Sequence, residues 1–344
     1  MQRWVNKIWY GSHPIAWLLL PLSALFWLIS SLRRRKFVGA PPASEALGVP
    51  VIIVGNITVG GSGKTPMVIY LIELLRRQGY RPGVISRGYG VKIDGVKLVD
   101  ARAKAGDVGD EPAMIVARTQ VPMAVGPDRL AAIGLLQAHH DIDVIISDDG
   151  LQHYRLPRDI ELVIIDGARR FGNGNLLPAG PLREGLWRLN CIDWLINNGG
   201  QVQGDEVLMQ LEPQPLLEVR AAVTACDTSL ARDAVSLSVP ELDKQQPVVA
   251  MAGIGNPERF FDSLKAQGYS LKHTLACNDH QAFDAQTLMS FAGNYPLIMT
   301  EKDAVKCRDF ARDNWWYLPV NAKLNPDFDN ALLARLAPLM PLKP

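Results

Sequence analysis

The 344-residue chain is 48% hydrophobic and 21% charged, with 29 Gly and 24 Pro. That composition excludes a disordered, collagen-like or coiled-coil protein, and the length suffices for two domain-sized cores. With 36 Lys and Arg against 35 Asp and Glu, the formal charge is +1, so no global basic field draws in nucleic acid and any electrostatic patch is local.

In chain order, the first element is apolar. Ile15 to Leu32 form 18 positions without a charge, reaching roughly 27 Å as a helix, near the thickness of a bilayer core. The run is apolar on every face, and Arg33, Arg34, Arg35 and Lys36 follow at once. Such a cluster favours the cytoplasmic side and attracts anionic headgroups. A retained membrane anchor is the preferred reading. A cleaved signal peptide would need a small-residue site such as Val38-Gly39-Ala40, but four basic residues before it oppose export. A core helix of a soluble domain is the other alternative, because Pro21 and the serines lower the hydrophobicity.

From Val51 onward, short β-branched runs alternate with helical stretches, the rhythm of βα units on a mostly parallel sheet. Strands are expected at Val51 to Val54, Gly83 to Ser86, Pro122 to Val125, Asp143 to Ser147, Glu161 to Ile165 and Asp193 to Ile196. Met67 to Gln78 reads as an amphipathic helix with Arg76 and Arg77 at its end and Gly79 as its stop. Residues 203–246 change character, with strands at Val207 to Leu211, Leu216 to Ala222 and Ala234 to Val239 and no helix between them. The pattern then resumes with a strand in Pro247 to Gly253, a helix from Pro257 to Gln267, and strands at Pro296 to Thr300 and Trp316 to Pro319. The expected organisation is an anchor over 1–36, a first α/β domain over 37–202, a β-stranded linker over 203–246 and a smaller α/β domain over 247–344. Cys191, Cys226, Cys277 and Cys307 form no CxxC pair, which argues against zinc or a disulfide framework and fits a reducing compartment.

The segment Gly55-Asn56-Ile57-Thr58-Val59-Gly60-Gly61-Ser62-Gly63-Lys64-Thr65 joins a strand to a helix, the context of a phosphate-binding loop. Gly60, Gly61 and Gly63 let the backbone N–H groups around Ser62 converge on phosphate oxygens at a helix N-terminus. Lys64 then reaches the β- and γ-phosphates and the Thr65 hydroxyl a Mg²⁺ ion. Thr58 stands where the usual pattern has its first glycine. A dinucleotide-binding turn, the alternative, has no need of the Lys-Thr pair. Asp148-Asp149-Gly150 ends a strand as an acidic Walker B strand does, although the same triplet also makes ordinary turns. Asp110, in Gly109-Asp110-Glu111-Pro112, is equally readable as a helix cap or as the carboxylate that takes a proton from an attacking hydroxyl. His139 and His140 read as surface or capping residues, and His280 lies in a polar loop.

Six collinear motifs together resemble the tetraacyldisaccharide 4′-kinase family: the Gly55 to Pro66 loop, Ser86-Arg87-Gly88-Tyr89-Gly90, Gly109 to Pro112, Asp148-Asp149-Gly150-Leu151-Gln152-His153, Pro178-Ala179-Gly180-Pro181-Leu182-Arg183-Glu184 and Thr300-Glu301-Lys302-Asp303. The resemblance implies a P-loop NTPase-like α/β/α sandwich, a second, smaller α/β/α domain joined by a β-stranded linker, and an N-terminal helix on the cytoplasmic face of the inner membrane. It implies ATP-dependent, Mg²⁺-assisted phosphorylation of the 4′-hydroxyl of a tetraacylated glucosamine disaccharide 1-phosphate, giving lipid IVA, with no nucleic-acid partner. By motif, Asp110 would be the catalytic base assisted by His280. Lys64 and Thr65 would serve ATP and magnesium, with Asp148, Asp149 and Glu184 as the acidic magnesium environment. Arg87, Tyr89, Arg129, Gln152, His153 and Arg183 would contact substrate or phosphate, Arg129 as a lipid or phosphate contact. Two other functions compete. A membrane-tethered GTPase needs [NT]-K-x-D, and in Thr300 to Asp303 the lysine falls one place late. A noncatalytic scaffold gives no reason for carboxylates and a histidine at several loop ends.

Overall fold

The computed structural model describes residues 2–11, 13–38, 47–220 and 242–340. Ala234 to Val239, Cys226 and the Gly39-Ala40 pair, named above, lie outside them. The chain divides into two compact units: Met1–Arg87, Arg129–Leu211 and Ala322–Pro344 form the first, Gly88–Asp128 and Glu212–Asn321 the second. These units interleave in sequence, whereas the expected organisation runs in contiguous segments.

The first unit opens with helices α1 (Gln2–Trp9) and α2 (Ile15–Val38). It continues through β1 (Val51–Gly55), α3 (Lys64–Arg77) and β2 (Pro82–Ser86). Within the second unit come β3 (Lys97–Leu98), α4 (Ala105–Val108), α5 (Asp110–Thr119) and β4 (Met123–Val125). The chain then returns to the first unit with α6 (Arg129–His139), β5 (Val144–Asp148), β6 (Ile160–Asp166) and β7 (Trp194–Asn198), and reaches β8 (Val207–Pro213). The remainder of the second unit holds β9 (Leu217–Glu218), β10 (Val248–Ala252), α7 (Pro257–Ala266), β11 (Leu271–Ala276), α8 (Ala285–Ala292), β12 (Leu297–Thr300), α9 (Glu301–Cys307) and β13 (Trp315–Leu318). After β14 (Val320–Lys323), α10 (Pro326–Leu336) rejoins the first unit.

The strands of the first unit lie in the order β8-β7-β6-β1-β5-β2, all parallel. Every residue of β1, β2, β5 and β6 is buried, as expected of a parallel sheet covered on both faces, whose strands read as unbroken apolar runs. Val54 pairs with Asp148, so the carboxyl ends of β1 and β5 stand side by side. In such sheets ligands bind beyond those ends. Phe328 of α10 packs edge-on against Trp194 with ring centres 5.7 Å apart, and the Tyr70 hydroxyl of α3 donates to Asp329.

In the second unit, a five-stranded sheet runs β11-β10-β12-β13-β9. Alternate residues of β10 and β12 face opposite sides: Ala250 and Ile298 meet Phe261 and Leu264 of α7, while Met251 and Met299 meet Leu288 of α8 and Cys307 of α9. This is the two-residue period of a strand building two cores at once. The strands expected over Val207 to Leu211 and Leu216 to Ala222 join the two sheets: β8 pairs parallel with β7, and β9 pairs antiparallel with β13 at the edge of its sheet. The polar strand β11 escapes sequence patterning because most of its side chains are exposed.

Trp315 is 1% exposed and lies edge-on to Phe310 with centres 6.0 Å apart. Trp315→Ala is therefore expected to destabilise the second unit by about 3–5 kcal/mol, the usual cost of emptying a buried aromatic site. Denaturant unfolding followed by fluorescence and circular dichroism measures it.

Candidate active site

The loop after β1 starts helix α3 directly at Lys64, with Gly63 as the N-cap in the left-handed region, φ 97°. A Cβ on Gly63 would sit 2.2 Å from Asn198 Nδ2, and that amide donates to the Ser62 carbonyl at 2.9 Å. Only glycine meets both demands. Gly60 also has positive φ, at 106°. The Gly60 carbonyl accepts from Asn56 Nδ2 at 3.3 Å, and the Gly61 carbonyl from Arg169 at 2.7 Å. Thr58 bridges to Leu182, while Val59 N donates to Pro181 and Arg183 N to Ile57. The glycine missing at Thr58 is thus replaced by strand-like pairing with the 178–184 loop. Ser62 and Thr65 are buried, and the Ser62 hydroxyl has no hydrogen-bond partner among the described residues.

Lys64 Nζ donates to Asn56 Oδ1 at 3.3 Å and lies 3.6 Å from Asp149 Oδ1. Arg183 reaches the other Asp149 oxygen at 3.3 Å. Enclosure pushes the Asp149 carboxyl upward, but Lys64 and Arg183 outweigh it and hold the group below its ordinary value. Asp149 carries a left-handed φ of 49°, a conformation Asp tolerates better than most residues. It turns this carboxylate away from the line of β5. Asp148, fully buried at the strand end, accepts from the Ser86 hydroxyl at 3.3 Å. The Asp148 carbonyl accepts from Arg129, which is 3% exposed. Burial pushes the Arg129 guanidinium down to about 10, against the pull of Asp148 and Asp149. Arg129 therefore supports the acidic strand end from within.

Gln152 bridges the Asn56 carbonyl at 3.0 Å and Glu184 Oε2 at 3.1 Å, while the Tyr154 hydroxyl donates to Glu184 Oε1. Both Glu184 oxygens thus brace the loop, with Arg188 3.9 Å away. His153 is half-buried, and its carbonyl accepts from Arg158 at 2.8 Å. Arg87 is exposed. Tyr154, Arg169 and Asn198 escape sequence reading because each acts through a partner distant in sequence. Among the described residues no three His, Cys, Asp or Glu side chains form a ready metal cage. A Mg²⁺ ion needs none, since it takes one or two carboxylates together with waters and substrate phosphates.

The second unit gathers its own cluster. Asp110 is the first residue of α5, and the cap is Gly109, with no side-chain capping bond. Instead, Asp110 Oδ2 lies 3.2 Å from His280 Nδ1 and 3.3 Å from Lys306 Nζ. The Asp110 side chain thus makes no capping bond and turns to these two partners instead. Burial, the largest influence, raises the Asp110 carboxyl, but the His280 hydrogen bond and then Lys306 and Lys302 hold it below its ordinary value. His280 adopts φ 60°, and the Tyr89 ring, 63% exposed, stands 5.0 Å from it. These residues line a cavity of about 720 Å³ within this unit. In the Thr300 to Asp303 segment, Lys302 pairs with Glu111 and Asp279, and the fully buried Asp303 accepts from the Thr300 hydroxyl and the Gly253 amide. Those side chains are committed to the fold, so the segment is no guanine reader.

A family profile described as Tetraacyldisaccharide-1-P 4'-kinase matches residues 15–337. The tetraacyldisaccharide 4'-kinase of Shewanella denitrificans is 79% identical over 344 residues, 100% of both chains. That of Shewanella frigidimarina is 60% identical over 336 residues, covering 98% of this chain and 96% of its own. A crystal structure of LpxK from Aquifex aeolicus in complex with ATP matches with a TM-score of 0.73 and 26% identity, over 94% of this chain and 99% of that one.

Gly63→Ala is expected to destabilise the first unit by more than about 1 kcal/mol. A left-handed L-residue alone costs that much, and the 2.2 Å approach to Asn198 adds to it. Urea unfolding of the variant against the parent measures the loss.

Proposed function

Since the chain belongs to the tetraacyldisaccharide-1-P 4'-kinase family, we propose that it transfers the γ-phosphate of ATP to the 4′-hydroxyl of a tetraacylated glucosamine disaccharide 1-phosphate, yielding lipid IVA and ADP. The observation that carries this reading is the meeting of Lys64 and Arg183 on Asp149 beside the buried Asp148. A glycine loop, two cations and two carboxylates at adjacent strand ends are the parts that phosphoryl transfer uses.

The Gly60 to Thr65 backbone would cradle the phosphates, with Lys64 and Arg183 leaving Asp149 in part to meet their negative charge. The donor set suits Mg²⁺, a hard cation that prefers oxygen: the Thr65 hydroxyl, Asp148 and Asp149 would hold it, and Glu184 would complete the acidic surround. When bound, the ion neutralises charge on the phosphate oxygens. Asp110 accepts the proton of the 4′-hydroxyl as that oxygen forms its bond to the γ-phosphorus. The bond from phosphorus to the β–γ bridging oxygen breaks, and ADP leaves with the electron pair. His280 holds Asp110 in place, and Tyr89, Arg87, Gln152 and His153 remain as substrate or phosphate contacts.

The acceptor is an amphiphile, and α2 supplies the means to meet it. Its burial follows a helical period: Ala16, Leu19, Leu20, Ser23, Phe26, Ser30, Arg34 and Phe37 face the first unit in part or whole, while Trp17, Leu18, Leu22, Leu25 and Leu28 are exposed. Ser23 bonds to the Leu176 carbonyl and the Ala179 amide, Arg34 stacks over Trp187, and Phe37 over Tyr154. Tied to its own unit at Ser23, Arg34 and Phe37, the helix would lie in one leaflet, with the 33–36 basic run at anionic headgroups of the inner membrane's cytoplasmic face.

With ATP, Mg²⁺ and detergent-dispersed disaccharide monophosphate, the protein is expected to label the lipid from γ-labelled ATP, as thin-layer chromatography shows. Lys64→Met and Asp110→Asn should each lower transfer by at least about 100-fold, Asp110→Asn without weakening ATP binding. Lipid-independent ATP hydrolysis with no labelled lipid would refute the reading. Replacing the exposed Leu18 and Leu25 together by Asp should cut binding to phosphatidylglycerol vesicles by at least about tenfold, since each leucine contributes about 1.5–3 kcal/mol on burial. Flotation reads this out.

A further inference from the structure

The Thr300 to Lys306 segment has no part in the reaction as derived above, yet its two lysines grip both strands of chain that carry the proton-accepting pair. Helix α9 starts with a reciprocal cap: the Thr300 hydroxyl donates to Asp303 Oδ2 at 2.6 Å, and the Asp303 amide returns to Thr300 at 3.2 Å. Asp303 is fully buried, and the Gly253 amide fixes Oδ2 further at 2.8 Å. Its other oxygen takes Lys306 Nζ at 3.1 Å. The same ammonium reaches Asp110 Oδ2 at 3.3 Å and the carbonyl of Gln281, next to His280, at 3.3 Å. Two of its N–H bonds are thereby committed to hydrogen bonds, and the ammonium stands within ion-pair distance of Asp110, on a side chain only 6% exposed. One turn earlier, Lys302 pairs with Glu111 at 3.2 Å and Asp279 at 2.9 Å, the neighbours of Asp110 and His280.

We propose that Lys306 is a positioning residue for the phosphoryl-transfer reaction, fixing Asp110 through Oδ2 and keeping it anionic so that Oδ1 takes the acceptor's proton. The inference rests on the kinase reading and on Asp110 as base. The titratable and charged groups around Asp110 are His280 and Asp279 from the loop, Lys302, Asp303 and Lys306 from α9, Glu111 on α5 and Asp107 on α4, with Arg102, Lys104, Arg308 and Asp309 on the same cavity wall. Carboxylates crowded in this way raise one another's affinity for protons unless cations intervene. A lysine on the base weakens it, but in a loose transition state the nucleophile needs little activation and gives up its proton late. Placement of the acceptor oxygen then matters more than its strength.

The test is the lipid-phosphorylation assay across pH with Lys306→Met, Lys306→Arg and the parent, each checked by thermal unfolding. Lys306→Met should lower kcat by about 10- to 100-fold and leave KM for ATP within about twofold. Its acid limb should move up by about one pH unit, because loss of a neighbouring cation raises a carboxyl. Lys306→Arg, which keeps the charge and alters the geometry, should lose about 3- to 10-fold with the limb in place. A Lys306→Met enzyme within threefold of the parent, or with an unmoved limb, overturns the proposal. If Lys306→Met does not fold, Lys306→Arg decides: a reduced kcat with an unmoved limb supports the proposal, and an unchanged kcat or a raised limb overturns it. The underlying readings fail separately, the kinase reading if the parent labels no lipid and the base assignment if Asp110→Asn retains turnover.

Discussion

Lys64 and Arg183 converge on Asp149 only because β1 and β5 are neighbours in register, Val54 opposite Asp148. The glycine loop leaves the end of one strand and the acidic pair leaves the end of the other, so a one-strand change in order would separate cations from carboxylates. The charges in turn hold the loop open. Before any phosphate arrives, Asp149 occupies the lysine and the arginine, which would otherwise repel each other. A phosphate entering that space exchanges one anionic partner for another, and the loop needs little rearrangement. The left-handed backbone at Asp149 is the cost of aiming its carboxylate inward.

The 178–184 loop carries more than its sequence suggests. It pairs with the loop after β1 through Val59, Ile57 and Thr58, and it bears Arg183 and Glu184. Its first residues hold Ser23 of α2, and Pro178 accepts from the Trp9 indole of α1. Helix α2 and the loop after β1 are therefore fastened to one short segment.

Sequence alone makes legible what is local in the chain. Parallel strands show as apolar runs, and Gly63-Lys64-Thr65 at a strand-to-helix junction marks the phosphate loop. What it leaves open depends on pairings over long separations. Whether Asp110 caps α5 or accepts a proton turns on His280 and Lys306, nearly the whole second unit away. Arg129 enters as a contact by resemblance alone, and its burial at the start of α6 has no local signal in the sequence. The anchor reads as apolar on all faces because Ala16, Ser23 and Ser30 are small rather than charged. The role of Ser23, which bonds α2 to Leu176 and Ala179, has no signature in hydropathy.

The two clusters also differ in how they handle charge, and the difference follows from their chemistry. The cradle of the first unit is built to receive a highly anionic guest, so its cations are held by a carboxylate that is still 31% exposed and can yield them. In the second unit the carboxylate is the working group and must neither protonate nor turn away. Its cations are accordingly buried, 6% exposed for Lys306 and 12% for Lys302, where water cannot screen them. A surface ion pair would contribute little and fluctuate. An ion pair inside a fully hydrogen-bonded network, anchored on Asp303, instead fixes one orientation of Asp110. On the proposed reading, that distinction between an exchangeable and a permanent ion pair suits phosphate binding in one unit and proton acceptance in the other.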